Sequence, residues 1–213
     1  RPPRSTLFPY TTLFRSNKKK VWIQRLSYVG ELGYEIYSKV EDAKSIYNSI
    51  TKEGKKFNLS HCGSHAMDVM RMESGFLHWG HDISPEENQF EAGLNFAISF
   101  KKDANFIGKE QLTKYKDKKP KKRFIMLSLK NNNPGQPLLL HEEPIYLDDK
   151  IIGRTTSGNY SFNYNKNLSF GYVSSDYSNH ELSSKNLYIE VAKCKYPVNV
   201  ELHPLKSSKI RYS

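Results

Sequence analysis

Ser27-Tyr28-Val29-Gly30-Glu31-Leu32-Gly33-Tyr34-Glu35 sets a carboxylate inside a glycine-punctuated turn between two runs of β-forming residues. Val21 to Val29 alternates and is rich in β-branched and aromatic side chains, and Gly33 to Tyr37 continues in the same texture. Gly30 and Gly33 supply the backbone freedom that a reversal between the two runs needs. The stretch reads as a strand pair with Glu31 at its bend, a buried type of carboxylate and a candidate ligand-reading group. Downstream, Glu41-Asp42 open a helix in which Ala43, Ile46, Tyr47 and Ile50 recur on one face before Gly54. A second helix is expected from Ser64 to Ser74, closed by Gly75, then a strand at Leu94 to Phe100 and a short helix from Lys109 to Tyr115. This order implies an α+β layer with antiparallel pairing.

Beyond Pro120 the texture changes to short β-like runs: Arg123 to Leu129, Pro144 to Leu147, Lys150 to Thr156, Leu168 to Val173, Leu187 to Val191 and Tyr196 to Leu202. Turn signals separate them at Asn131-Asn132-Asn133-Pro134-Gly135, Asp148-Asp149, Ser157-Gly158-Asn159 and Ser174-Ser175-Asp176. The expected result is a small all-β barrel or sandwich.

Four blocks in register carry a family resemblance: the Tyr28 to Glu35 turn, Gly63 to Gly75, His78-Trp79-Gly80-His81-Asp82, and Phe90 to Leu94. Phe106-Ile107-Gly108 with Leu112, Glu143 to Tyr146 and Gly153-Arg154-Thr155-Thr156-Ser157-Gly158 extend it to most of the chain. Together they resemble the folate-binding aminomethyltransferase family, which includes the glycine-cleavage T-protein and the C-terminal part of dimethylglycine and sarcosine dehydrogenases. The resemblance implies part of the family's folate-binding domain, an antiparallel sheet with helices, over residues 17–116. A basic linker at 117–122 and a C-terminal β-barrel at 123–213 follow.

It also implies a tetrahydrofolate site in which Glu31 holds the pterin, with Tyr28 and Gly30 beside it. A pterin offers an exocyclic amine and a ring N–H along one edge, and a carboxylate accepts both in a two-bond fork. Tyr28 either lines that pocket or packs on the sheet, and Glu35 reads as structural. The family's catalytic aspartate is expected upstream of this chain, so no catalytic residue is assigned and the chain alone is expected to be inactive. Where the T-protein has an arginine before the aspartate of the second helix, this chain has Met67. That difference, with the His78 to Asp82 block, favours the dehydrogenase branch, whose upstream domain carries FAD and whose substrate is an N-methyl amine. The T-protein itself is the alternative, and a non-catalytic folate-fold or RNA-associated module the alternative of another class.

A formal charge of +11 raises the question of nucleic acid. The densest run, Lys114 to Arg123, has a single aromatic, Tyr115, and a Pro120, and reads as a solvated hinge with no nucleic-acid partner and no apolar helical face for a membrane. No stretch approaches the roughly 20 apolar residues that span a bilayer. With only Cys62 and Cys194, no disulfide framework is expected, and the compartment reads as reducing and cytoplasmic. His61, His65, His78 and His81, with Cys62 and Asp82, lack the paired second half of a structural zinc site, and no metal is assigned. Asp68, Arg71 and Glu73 are placed to pair locally along the second helix. Arg154, Ser157 and Tyr160 fall in what reads as a loop able to face a ligand.

Residues 1–16, RPPRSTLFPYTTLFRS, repeat Thr-Leu-Phe and carry no acid. The string resembles the translation of a sequencing adapter and is expected not to be native; a leader peptide is the alternative, without the apolar core of a secretory signal. Setting aside Arg1, Arg4 and Arg15 lowers the formal charge from +11 to +8.

Overall fold

The computed structural model describes residues 11–16, 19–131 and 133–206. Residues 1–10 of the adapter-like string, Asn132 of the expected turn and the last seven residues of the expected barrel segment lie outside the described residues. The described residues divide into two compact units, one ending at Arg71 and the other Met72–Lys206.

In the first unit β1 (Thr11–Ser16), β2 (Lys19–Gln24) and β3 (Glu35–Tyr37) form an antiparallel sheet in that order. The pairing of β1 with β2 runs from Thr11 opposite Gln24 to Ser16 opposite Lys19. The first expected strand is shorter than its alternation suggested, ending at Gln24 and not Val29. The segment that follows folds back on itself: a Cβ on Gly33 would lie 3.2 Å from the Leu26 carbonyl, and the Val29 amide donates to Ser27 Oγ. Residues 25–34 carry no strand.

Helix α1 (Val40–Gly54) carries Glu41 and Asp42 in its first turn and Lys52 in its last, which complements the helix dipole, and it buries Ile46. A 3-10 turn at Lys55–Phe57 then stops at left-handed Asn58, and α2 (Ser64–Glu73) follows. The expected helices therefore stand.

The second unit is built on a closed six-stranded barrel. Its strands are β4 (Lys122–Leu129), β5 (Pro144–Leu147), β6 (Lys150–Ser161), β7 (Lys166–Ser174), β8 (Leu187–Val191) and β9 (Cys194–Glu201). The spatial order β4-β7-β6-β5-β8-β9 closes because β4 also pairs with β9, Leu127 facing Val200. Leu127, Ile145, Ile189 and Val198 fill the interior. Ile145 and Ile189 are fully buried, each stabilising the barrel by roughly 1.5–3 kcal/mol. A second cluster packs Met72 with Met126, Leu168 and Phe170. Helix α3 (Lys109–Lys116) precedes the barrel, and α4 (Asn179–Ser184) lies between β7 and β8. Helix α4 is set by a capping box in which Ser178 and Glu181 exchange bonds, a Ser-x-x-Glu signature the strand-centred reading passed over.

Three expectations change. Leu94 to Phe100 is not a strand: Asn95–Ala97 is a 3-10 turn, the Ala97 and Ile98 amides bond locally to Leu94 and Asn95, and Phe96 is exposed. Ser157-Gly158-Asn159 is not a turn but the continuation of β6. Gly158 is there because a Cβ would fall 2.4 Å from Leu139 Cβ and 2.6 Å from the Leu139 carbonyl carbon. The basic run ends one residue earlier than expected, since Lys122, paired with Glu87, opens β4, while Lys119 pairs with Asp176 at 3.0 Å. The division between compact units falls at Arg71, well before the expected linker.

Candidate functional site

In the first unit the bend at residues 25–34 carries the three residues expected at the ligand. Gly30 is buried at φ 68, a left-handed conformation that a side chain would strain. Tyr28 is half-buried. Glu31 is exposed, not buried as the sequence suggested, because the bend carries it past Gln24 and Glu35, the last paired residues of the sheet. Glu35 opens β3, and its carboxylate accepts the Tyr37 hydroxyl. Trp22 and Tyr37, opposite one another, hold their rings 5.3 Å apart.

Along α2, Arg71 Nε donates to Asp68 Oδ1 at 2.7 Å, the local pair expected. Met67, at the position of the T-protein arginine, is exposed. Among the described residues no group of three or more His, Cys, Asp or Glu is arranged to hold a metal ion. The Tyr47 and His61 rings stack in the first unit, and the His78 and His81 rings lie 4.5 Å apart in the second.

In the second unit the buried carboxylates are anchors. Asp82 Oδ1 accepts Thr156 Oγ1 at 2.5 Å and Ser157 Oγ at 2.7 Å, and Oδ2 accepts the His78 amide at 2.9 Å. The Tyr172 hydroxyl donates to the Asp82 carbonyl. Successive side chains of a strand point to opposite faces, yet Thr156 and Ser157 reach one oxygen because the register of β6 on β7 shifts between Thr155 and Ser157. Asp82 thus fixes the loop from His78 to Ile83, of which Trp79 and His81 stay exposed. Glu73, fully buried, accepts Ser161 Oγ at 2.6 Å and Asn163 Nδ2 at 2.9 Å.

Beside Asp82 lies an open groove of about 770 Å³, lined by His81, Glu87, Lys122, Arg154, Thr156 and Tyr172 among others. Burial works against charge on Glu87, but hydrogen bonds from Lys122 and Ser84 outweigh it and hold the carboxyl below its ordinary range. Burial, reinforced by Glu87, Asp82 and Glu91, pushes the Tyr172 phenol well up. Arg154, Ser157 and Tyr160 stand on β6 and not in a loop: Arg154 is exposed and paired with Glu142, Ser157 is bonded to Asp82, and Tyr160 is half-buried. They do not form one ligand-facing set. The sequence singled out Asp82 only as a metal-ligand candidate, because its hydroxyl partners lie 74 and 75 positions away.

Residues 5–102 match the GCVT N-terminal domain, and residues 122–206 match the glycine cleavage T-protein C-terminal barrel domain. The chain is 34% identical over 181 residues to the mitochondrial dimethylglycine dehydrogenase of Homo sapiens, covering 85% of this chain and 20% of that protein. It is 33% identical over 173 residues to an aminomethyltransferase of Bacillus pumilus, covering 80% of this chain and 46% of that protein. It thus spans a fifth of one and under half of the other. The fold matches the crystal structure of glycine cleavage system aminomethyltransferase T from Bartonella henselae with a TM-score of 0.79 at 20% identity, over 96% of this chain and 55% of that one. No helix among the described residues is long and apolar enough to cross a membrane. With both domain matches in order and the barrel closed as in that fold, the chain belongs to the folate-binding aminomethyltransferase, glycine-cleavage T-protein-like family.

Proposed function

We propose that this chain is the C-terminal part of an FAD-linked, dimethylglycine/sarcosine dehydrogenase-like protein whose folate domain forms 5,10-methylenetetrahydrofolate from an N-methyl amine. The observation that carries the reading is the exposed carboxylate of Glu31 on a bend shaped by Gly30, in a chain with dehydrogenase relatives at 34% and 30% identity. A relative from Paenarthrobacter nicotinovorans is named a formaldehyde-forming 4-methylaminobutanoate oxidase, which is the same class of one-carbon release.

Tetrahydrofolate fits the residues of the bend. Glu31 is exposed and its carboxylate has the two oxygens that a pterin's amine and ring N–H call for, Gly30 lets the backbone approach, and Tyr28 offers an apolar body with a hydroxyl tip. When bound, tetrahydrofolate supplies the two nitrogens that capture the one-carbon unit. This reading assigns the flavin and the family's catalytic aspartate to residues other than those of this chain. An aminomethyltransferase proper is the second reading, favoured by the larger share of the Bacillus enzyme that the chain covers. Cys62 and Cys194 are exposed and free, and the mammalian relatives are named mitochondrial, which does not favour the cytoplasmic reading.

The test is a tetrahydrofolate titration of the protein extended upstream to the length of its relatives, wild type beside Glu31→Gln. An amide offers one acceptor where the carboxylate offers two, so the variant should bind roughly tenfold or more weakly. Equal affinity sinks the Glu31 assignment.

A further inference from the structure

Two ion pairs line the groove beside Asp82, and they differ in kind. Lys122 and Glu87 are only 33% and 9% exposed, and the Lys122 ammonium also lies 5.0 Å over the Tyr172 ring, so this pair is part of the wall. Arg154 and Glu142 meet at 3.0 Å through Nη1 alone and stay open to solvent at 60% and 55%. Their backbones are fixed nonetheless: the Glu142 amide donates to the Thr155 carbonyl and the Thr155 amide to the Glu143 carbonyl, both at 2.9 Å. Arg154 stands opposite Pro144 on β5 and Tyr172 on β7, so the three share one face of the barrel. The Tyr172 and Thr156 hydroxyls are committed to Asp82. The polar groups left to meet a ligand are Arg154, Glu142, Glu86 and His81, beside the apolar surface of Pro144 and Ile151.

An exposed ion pair is worth little and exchanges partners readily. Asp82, Glu86, Glu87 and Glu142 line the groove against the cations Lys122 and Arg154, so a plain anion meets an excess of negative charge. A plain cation would draw Glu142 away and leave Arg154 with water. A ligand carrying both charges inserts into the pair and replaces it: its carboxylate takes the planar fork of Arg154, and its ammonium takes Glu142 or Glu86. Methyl groups on that nitrogen keep its charge and rest against Pro144 and Ile151. We infer that the Arg154–Glu142 pair is a binding site for a small aminocarboxylate zwitterion, N-methylated at its amine. The zwitterion follows from the charges of the groove, and the choice of an N-methylated one rests on the dehydrogenase-like reading above.

Four probes, titrated calorimetrically into the full chain, separate the two charges and the methyl groups: N,N-dimethylglycine, glycine, acetate and dimethylamine. Dimethylglycine should bind, with acetate and dimethylamine each roughly fivefold or more weaker. Arg154→Met and Glu142→Gln should each weaken dimethylglycine by roughly fivefold. The exchanged pair, Arg154→Glu with Glu142→Arg, should bind it more tightly than either single variant, because a zwitterion can reverse its direction. Both side chains are exposed, so the thermal midpoint should stay at the wild-type value in each single variant. If dimethylglycine does not bind, or if either single variant binds it as tightly as wild type, the inference is overturned. Acetate binding as tightly as dimethylglycine makes the groove a plain anion site and overturns it equally. Glycine binding as tightly as dimethylglycine, with both losses intact, supports the zwitterion site and removes the preference for N-methyl groups. The Glu31→Gln comparison with tetrahydrofolate is read independently: its failure removes the Glu31 assignment and leaves these outcomes unchanged.

Discussion

Replacing Asp82 by alanine removes the acceptor for three donors at once: the Thr156 and Ser157 hydroxyls and the His78 amide. A hydrogen bond to a charged acceptor contributes roughly 1.5–3 kcal/mol net, but the three share one carboxylate and do not add. Removing the carboxylate also relieves the cost of keeping a charge at 1% exposure, which is several kcal/mol before compensation. The balance is a loss of about 3 kcal/mol, read as a lower urea midpoint or a thermal midpoint lower by roughly 6–12 °C. Asp82→Asn should cost about 1 kcal/mol. Its oxygen can still take the His78 amide while its NH2 faces hydroxyl oxygens that rotate to accept. In a double-mutant cycle, Asp82→Ala combined with Thr156→Val should show a coupling of about 1 kcal/mol or more. Additive effects in that cycle, or an alanine variant within about 0.5 kcal/mol of wild type, would refute the latch.

Gly158→Ala should destabilise the barrel by roughly 1–3 kcal/mol, because the new methyl meets Leu139 backbone and not a yielding side-chain tip; denaturation of the variant measures it. Glu87 and Glu201 are held below their ordinary value of 4.5, against burial, by Lys122 with Ser84 and by Lys166 with Ser128. A depressed folded value means the contribution is complete above the ordinary value and is lost as pH falls through the lower, folded one. The thermal midpoint should therefore fall as pH is taken below 4.5, and Lys122→Met should make that fall shallower; an unchanged acid slope in the variant removes Glu87 as a cause.

Much of the barrel was legible, and the reason is local. Pro144 to Leu147 and Leu187 to Val191 are bounded by turn residues and filled with β-formers, so their limits match β5 and β8. What was not legible depended on neighbours distant in sequence. Gly158 was read as a turn because glycine signals both a reversal and a close approach, and only Leu139 decides between them. Leu94 to Phe100 had the alternation of a strand, but the amides of Leu94, Ala97 and Ile98 are taken by the nearby carbonyls of Gln89, Leu94 and Asn95. In the candidate site, the position of Glu31 between β2 and β3 followed from the glycines and the two runs, whereas its exposure depended on where the pairing stops. The aromatic pair was invisible because the opposition of Trp22 and Tyr37 is fixed by register and not by spacing.

The one-residue shift in β6 also acts as a proofreading device during folding. Were β6 to slip by one position along β7, Thr156 and Ser157 would no longer converge on a single point, and Asp82 would arrive with its carboxylate only partly satisfied. A misregistered barrel is thus penalised by a segment encoded more than seventy residues earlier, which docks productively on the correct alignment alone. Such a long-range check slows assembly, since the loop must close before it is rewarded. In return, slipped strand arrangements of nearly equal hydrophobic burial are separated by a polar criterion that apolar packing cannot supply.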